Sequence, residues 1–470
     1  MKRTAGVGVS EWQRTQMRET AGMRSDTRHI WRATWGTALA MLLITATGAS
    51  AQATNGLTFA LPPATTPVAT PAPATTPAPA IRLTPTATPA TTTIQGRSSM
   101  TIYGFAMLDL GTNFKTINPN WFDTMRVTKL PSFNGQFGED NSTFMGVRQS
   151  RFGVKSTVPT SMGDLKTTFE FELFGVGVDE GQTTFRLRHA YGELGHFGAG
   201  QTWSVFMDPD VFPNSLEYWG PTGMVFFRNV QVRYIRDMGT NHHIVMALER
   251  PGASGDQGVY ANRIELAGIA ARFPSPDITG AYSYTDKWGY ARVAGIYRRV
   301  NWDDTQADAV DLSGHANGWG LNLSSNLKVG KSDVVRLQYV FGEGIQNYMN
   351  DSPVDIGIQN NFSDPVHPLL GKAIPIQGSV VFLDHKWNDR WTTSVGFSHQ
   401  QNDNTDGQAP DAFRRGMYAL GNLLFTPVPN VMMGGEFQWG RRENNSDGWQ
   451  YDGYKMQFSF KYNFSHKIGG

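Results

Sequence analysis

The stretch YKMQFSFKYNF, residues 454–464, alternates large apolar side chains with polar ones at every position. In an extended chain the apolar side chains share one face, and the polar side chains, including Lys455 and Lys461, share the other. Its length matches the roughly 9–11 residues that a tilted strand needs to cross a bilayer. An aromatic face opposite a charged face is typical of a barrel strand between lipid and a water-filled lumen. The stretch therefore predicts a transmembrane β-strand.

The same alternation recurs along the chain, for example in residues 165–173, 183–193, 391–400 and 431–440. We count sixteen such strands and predict an all-β fold, a 16-stranded antiparallel transmembrane β-barrel over residues 100–464, wide enough for a water-filled channel. The alternation places His189 and Tyr191 on the lipid-facing side of their strand. Residues 260–273 fit either an extra strand or a short loop helix, and we assign them to a long loop because this keeps the strand number even.

The connections between the predicted strands fall into a short class and a long class. The short connections are residues 159–164, 195–196, 286–289, 330–333, 388–389 and 426–430. The long connections are residues 115–143, 203–223, 251–276, 303–314, 342–377, 401–412 and 442–452. Outer-membrane barrels have short periplasmic turns and long extracellular loops, so this division also predicts the orientation.

The composition limits the classes of protein that remain. The 470 residues include no cysteine, which excludes disulfides and thiolate chemistry, and charged residues make up only 17%. No apolar run is long enough for a transmembrane helix. The histidines are scattered, and no phosphate-binding glycine loop or metal-ligand spacing is present, so we expect no cofactor, no metal and no enzyme activity. A soluble all-β sandwich or propeller remains the alternative on composition alone.

The first 51 residues have the features of a secretory signal peptide. Basic residues between Arg24 and Arg32 precede an apolar segment, residues 38–44, and Ala49-Ser50-Ala51 forms a small-residue cleavage site. Met23 is a candidate for the true start. Without residues 1–51 the chain is net acidic, which removes the electrostatic footprint of a nucleic-acid-binding protein.

Residues 52–99 consist mainly of Ala, Thr and Pro. Proline fixes φ and lacks an N–H, so this composition favours an extended, unpacked segment. We expect a disordered tether in the periplasm, either without a specific partner or as a spacer toward the cell wall.

The polar face of the predicted strands carries more basic than acidic residues. The expected pore-lining basic residues are Arg151, Lys155, Arg186, Arg188, Arg233, Arg292, Arg298, Arg336, Lys455 and Lys461. The acidic residues on this face are Glu170, Glu172, Glu249 and Glu436. Rings of Arg and Lys select anions in a pore, which predicts an anion preference. The alternative is that the arginines pair with these glutamates and only stiffen the wall.

The long connection at residues 203–223 contains three prolines and five aromatic residues, which is unusual for an exposed loop. Folding inward would bury the aromatic side chains against the wall. We therefore expect a constriction loop, with Asp208, Asp210 and Glu217 facing the basic wall across the channel. An extracellular lid or a contact between subunits is the alternative.

Four short motifs resemble the DcaP-like porin family: GVRQSR at residues 146–151, LRHAYGE at 187–193, DVFPNSLEYWGPTG at 210–223 and YMND at 348–351. The resemblance covers residues 101–464 and implies a sixteen-stranded homotrimeric porin of the Gram-negative outer membrane that takes up small anions such as dicarboxylates. Family members tend to begin with a helical segment, which Pro and Thr replace here. They also tend to end on an aromatic residue, whereas Phe464 is followed by a short tail, residues 465–470.

These features together predict an outer-membrane porin for passive diffusion of small, preferentially anionic solutes, with membrane lipid and its own copies as partners. A general porin of low selectivity is the nearest alternative. An outer-membrane hydrolase and a surface adhesin built from the long loops are alternatives of a different class.

Overall fold

The computed structural model describes residues 97–470, so the predicted signal peptide and all but the last residues of the predicted tether lie outside the described residues. Sixteen strands of the described chain form one antiparallel barrel. In order around the barrel they are β1 (Ser99–Asn113), β3 (Arg151–Thr160), β4 (Gly163–Phe174), β5 (Thr183–Leu194), β6 (Phe197–Trp203), β7 (Arg228–Met238), β8 (His242–Glu249), β10 (Asp277–Asp286), β11 (Gly289–Asp304), β12 (Gly314–Val329), β13 (Asp333–Glu343), β16 (Pro375–Lys386), β17 (Trp391–Asn402), β18 (Phe413–Phe425), β19 (Val431–Asn444) and β20 (Gln450–Gly469). The predicted fold class and strand number are confirmed.

The barrel closes between its first and last strands. β1 pairs antiparallel with β20 along its whole length, from Ser99 opposite Gly469 to Asn113 opposite Lys455. Residues 465–469 therefore continue β20 instead of forming the separate tail that the sequence suggested. They do so because their backbone pairs with the first residues of β1. The sequence pattern did not predict this pairing.

The two faces of β20 differ in exposure as the alternation predicted. Phe458 and Tyr462 are 46% and 54% exposed on the outer face, whereas Lys455 and Gln457 are fully buried on the inner face. Large apolar side chains outside and polar side chains inside are what a lipid-facing barrel requires. Residues 97–470 contain no helix with the length and apolar character needed to span a membrane.

A β-bulge in β5 corrects two sequence expectations. In the pairing of β5 with β4, Glu170 lies opposite His189 but Phe171 lies opposite Leu187, so Arg188 is an extra residue. Arg188 and His189 therefore both face inward, and His189 is 4% exposed instead of facing lipid. The bulge reverses the remaining alternation, so Tyr191 also faces the lumen, with the Arg233 guanidinium 4.7 Å from its ring centre.

Short turns lie at one end of the barrel and longer loops at the other, except that one connection at the loop end, residues 445–449, has only five residues. None of the seven turns between adjacent strands at the short-turn end exceeds five residues, and they include residues 239–241, a turn missing from the sequence prediction. We name the loops at the other end L1 (114–150), L2 (175–182), L3 (204–227), L4 (250–276), L5 (305–313), L6 (344–374), L7 (403–412) and L8 (445–449). The sequence prediction had also omitted L2.

The loops contain four shorter strands and seven short 3-10 turns among the described residues. The strands are β2 (Ser142–Gly146), β9 (Ile269–Arg272), β14 (Ile356–Asn360) and β15 (Leu369–Ala373). The 3-10 turns are Pro119–Trp121, Val127–Lys129, Gly177–Asp179, Pro209–Val211, Gly258–Tyr260, Ile264–Leu266 and Gln346–Tyr348. The ambiguous residues 260–273 thus lie in L4, where β9 pairs with the outer end of β11.

The largest apolar cluster lies inside the barrel. Buried residues of L1, L3 and L6 pack in it against one another and against apolar residues of the inner wall. The loop members are Ile117, Met125, Val127, Leu130, Val205, Phe206, Met207, Val211, Phe212, Met224, Val225, Ile345, Tyr348 and Met349. Three long loops therefore fill part of the lumen, whereas the sequence had predicted this for L3 alone.

Candidate functional site

L3 folds into the lumen, as its aromatic content predicted. Val205, Phe206, Met207 and Val211 are almost fully buried against the wall. The wall carries small or apolar residues where L3 packs, for example Gly320, where an added Cβ would lie 3.1 Å from Phe206 Cζ. The hydrophobic effect thus holds the loop inside the barrel, where it narrows the channel.

Two wall carboxylates bind L3, one at its start and one near its middle. Glu249 accepts hydrogen bonds from the Ser204 hydroxyl and the Val205 N–H, both at 2.9 Å. Glu436 accepts them from the N–H groups of Leu216 and Glu217, at 2.8 and 2.9 Å. Strand alternation predicts both glutamates among the lumen charges, but both are buried and engaged by the loop.

Two predicted pore-lining arginines donate to L3 carbonyl groups. Arg292 donates to the carbonyl oxygens of Val205 and Met207, at 2.8 and 3.3 Å. Arg336 donates to the carbonyl oxygen of Asp210 and pairs with Asp384 at 2.7 Å. These arginines position the loop, which the strand alternation could not reveal.

Arg298 positions L4 and L6 in the same way. It donates to the carbonyl oxygens of Gly252 and Gly344 and pairs with Asp355 of L6 at 2.8 Å. Burial raises the pKa of Asp355, although Arg298 acts in the opposite direction. Arg233 lies 3.5 Å from the carbonyl oxygen of Trp203, the last residue of β6.

The three acidic residues of the predicted constriction loop have different surroundings. Glu217 forms the expected contact with the wall, a fully buried pair with Lys455 at 2.6 Å. Asp208 instead accepts hydrogen bonds from the hydroxyls of Tyr290 and Ser324, at 2.7 and 2.5 Å, because neutral side chains occupy the wall there. Asp210 bonds the wall through its backbone carbonyl oxygen, to Arg336.

The remaining basic residues gather on one side of the lumen. Arg151, Arg186, Arg188 and one further residue, Arg228, surround Glu170 and Glu172, and we call these six residues the arginine cluster. Arg188 bonds Glu170 at 2.5 Å and Glu172 at 2.6 Å. Arg151, Arg186 and Arg228 lie 3.4–3.6 Å from Glu172. Four guanidinium groups thus share two carboxylates.

The arginine cluster has N–H donors without a hydrogen-bond partner. Nε of Arg151 and Nη1 of Arg228 are buried and donate to no acceptor in the described structure. Buried donors of charged groups are costly to leave unpaired, so an anion entering the cluster would gain from accepting them.

A cavity of about 470 Å³ lies between the arginine cluster, L3 and the short-turn end. Its basic lining residues are Arg151, Arg188, Lys386, Arg390 and Lys461. Its acidic lining residues are Glu217 and Asp389. The volume suits a small organic molecule. Lys461 and Lys155 lie beside aromatic rings of β1, 4.0 Å from the Phe105 ring centre and 5.0 Å from that of Tyr103.

The model of the DcaP outer membrane protein family matches residues 101–464. The chain belongs to this family. Among solved structures, the outer membrane channel DcaP of Acinetobacter baumannii has 18% identity and a TM-score of 0.66, covering 78% of this chain and 97% of that chain. At this identity the likeness shows the fold alone.

Other outer-membrane proteins match this DcaP-family barrel at lower identity. An anion-selective porin from Comamonas acidovorans has 10% identity and a TM-score of 0.48, covering 78% of this chain and 100% of that chain. OmpT of Vibrio cholerae has 12% identity and a TM-score of 0.48, covering 78% and 98%. A search of curated proteins found no match. Family and fold together identify the DcaP-family protein as an outer-membrane channel.

The sequence missed Arg228 and the inward course of L1 and L6 in this DcaP-family protein. Arg228 is the first residue of β7, where no alternation yet exists to assign its face. L1 carries Trp121 and Phe122, and aromatic residues in a long loop were the signal that had identified L3. Among the described residues no group of three or more acidic or histidine side chains is arranged to hold a metal.

Proposed function

We propose that this outer-membrane channel conducts small hydrophilic solutes by passive diffusion and prefers anions, including dicarboxylates. The arginine cluster carries this proposal, because four arginines face two glutamates and two donors remain without acceptors. A net positive, partly desolvated wall attracts anions far more strongly than an exposed basic surface does.

A general porin of low selectivity is the second candidate. Acidic residues are frequent in the long loops, for example Asp308, Asp311 and Asp364. If their field dominated at the channel mouth, it would oppose the arginine cluster and reduce the anion preference.

The test is the reversal potential of the purified mature protein in a planar bilayer under a salt gradient. We expect a potential of the sign given by anion selectivity, and a conductance reduced by added dicarboxylate. A potential near zero would favour the general porin, and a potential of cation-selective sign would refute the proposal. Absence of any conductance would return the hydrolase and the adhesin to consideration.

We also propose that the channel is a homotrimer with its N-terminal tether in the periplasm. The outer faces of β5 and β6 carry large exposed apolar side chains, namely Phe185, Leu187 and Phe197. An apolar outer face of this kind suits contact with lipid and with another barrel. Native mass spectrometry in detergent would show a mass of three chains, whereas a single-chain mass would refute the trimer.

A further inference from the structure

Part of L1 occupies the lumen together with L3. We call residues 118–130 the L1 insert. Its side chains Trp121, Met125, Val127 and Leu130 are all at most 2% exposed. The Trp121 ring contacts that of Trp219, in L3, edge to face at 4.7 Å between ring centres. The L1 insert is thus an internal element of the barrel at the level of the constriction.

Three glycines of the inner wall make room for the L1 insert. They lie on β18, β19 and β20, and we call Gly416, Gly440 and Gly453 the glycine seat. Gly440 and Gly453 are direct partners in the sheet. A Cβ on Gly440 would lie 2.9 Å from the Met125 sulfur, and one on Gly453 would lie 3.1 Å from Leu130 Cδ2.

Gly416, the third glycine of the seat, also lies directly under a side chain of the L1 insert. A Cβ on Gly416 would lie 2.9 Å from Val127 Cγ1. A glycine in a strand interior weakens the strand, and it often marks a site where another segment approaches the backbone closely. Side chains at these three positions would therefore displace the L1 insert.

Asp351 of L6 holds the L1 insert through four hydrogen bonds. Its carboxylate accepts from Nε and Nη2 of Arg126, at 3.0 and 2.9 Å. It also accepts from the backbone N–H and the hydroxyl of Thr128, at 2.9 and 2.5 Å. The Arg126 guanidinium lies between the rings of Trp121 and Trp219, 4.2 and 4.3 Å from their centres. One carboxylate thus joins L6, L1 and, through the stacked arginine, L3.

The wall itself also bonds the L1 insert. Lys455 on β20 donates to the Asp123 carbonyl oxygen at 2.5 Å, and Arg148, near the end of L1 itself, forms a buried ion pair with the Asp123 carboxylate. Arg442 donates to the Thr128 carbonyl oxygen at 2.6 Å. Charged hydrogen bonds of this kind are the strong ones, so the L1 insert is held in one place.

We propose that the L1 insert is a second constriction of the channel, seated on the glycine seat and held by Asp351, and that it limits the size of the solutes that pass. The proposal goes beyond anion preference, because it concerns the free cross-section of the lumen. A sixteen-stranded barrel leaves a channel only as wide as the loops inside it allow. The area taken by the L1 insert on the β18–β20 side is closed to solutes.

The first experiment replaces residues 118–130 by a short Gly/Ser linker. Single-channel conductance should rise by about twofold, because the narrowest cross-section sets the rate of passage. Liposomes carrying the variant should swell faster with large uncharged sugars, which report size without regard to charge. Unchanged conductance and unchanged sugar passage would overturn the proposal, whatever the anion preference of the wild type.

A second experiment keeps L1 intact and uses the absence of cysteine in the chain. A Cβ on Gly440 would lie 3.1 Å from Met125 Cγ, a separation that a disulfide between Met125→Cys and Gly440→Cys can bridge. These two substitutions are combined with Asp351→Ala, which removes the carboxylate that holds the insert. The oxidised protein should show wild-type conductance, and reduction should raise the conductance toward that of the linker variant.

Equal conductance of the oxidised and reduced forms would overturn the role of Asp351 and the glycine seat. The matched control combines Asp351→Ala with Met125→Cys alone, which leaves a single cysteine in an otherwise cysteine-free chain and no partner for a disulfide. Reduction should leave the conductance of this control unchanged.

Discussion

Arg188 lies at the centre of the arginine cluster, since it alone bonds both glutamates at less than 3 Å. The other three arginines lie at longer distances from the same carboxylates and repel one another. Buried like charges of this kind persist only where the surrounding fold holds them, and an anion lowers their mutual repulsion. The cluster is therefore better understood as an incomplete ion-pair network than as a ring of isolated charges.

Arg151→Ala together with Arg228→Ala should shift the reversal potential toward zero. The two substitutions leave two arginines against two glutamates and remove both donors that lack acceptors. Glu172→Gln should shift the potential the opposite way, because it leaves four arginines against one carboxylate. The reversal potential of each variant is measured in a planar bilayer under a salt gradient. The control is Arg236→Ala, which removes an exposed arginine outside the cluster. Equal potentials for all four proteins would remove the cluster from the selectivity mechanism.

Single residues were predictable from the sequence only where the alternation was regular. Lys455 and Lys461 face inward as expected because β20 contains no bulge in this stretch. His189 and Tyr191 were assigned to the wrong face because one extra residue in β5 reverses everything beyond it. A bulge adds no distinctive residue type here, so the sequence carried no signal for it.

At the scale of elements, L3 depends on polar anchors as well as on its apolar side chains. The sequence predicted the inward fold from the aromatic residues but treated Glu249 and Glu436 as lumen charges. Leu216 and Glu436, which form one of these hydrogen bonds, lie 220 positions apart in the sequence. Strand alternation predicts which face of the barrel a side chain occupies, but it does not predict which loop residue bonds that side chain. The two glutamates therefore could not be recognised as anchors of L3 from the sequence.

Glu436→Ala should loosen the middle of L3. It leaves the N–H groups of Leu216 and Glu217 buried without an acceptor, which costs about 1–3 kcal/mol for each group. We expect a lower thermal stability and a larger, noisier single-channel conductance. The control is Glu343→Ala, whose carboxylate bonds the exposed Trp319 instead of L3. A variant with wild-type conductance and noise would show that the apolar contacts alone fix the loop.

At the scale of the whole molecule, one principle explains where charge lies. Four of the ten predicted pore-lining basic residues, namely Arg292, Arg298, Arg336 and Lys455, bond loop atoms. Arg151, Lys155, Arg186, Arg188 and Lys461 lie on β3, β5 and β20. The loops thus engage the basic residues of β11 and β13, and a charged path remains along β3 and β5. The sequence predicted basic residues exposed all around the lumen. That arrangement would require a water-filled space at the part of the wall against which L3 and L6 pack.

The closure of the barrel gives the last prediction. Residues 465–469 pair with β1 residues 99–103, and these β1 residues also pair with β3 on their other side. Deleting residues 465–470 ends the chain on Phe464 and removes the pairing on one side of β1 only. The first residues of β1 then lose one of their two strand partners and become an unpaired edge. We expect the temperature at which the folded band converts to the unfolded band on a semi-native gel to fall, while conductance and reversal potential stay at wild-type values. If the truncated chain unfolds at the same temperature as the full-length protein, the β1–β3 pairing alone suffices to stabilise the first residues of β1. If the folded band is lost altogether, closure of the barrel depends on the last five residue pairs between β1 and β20.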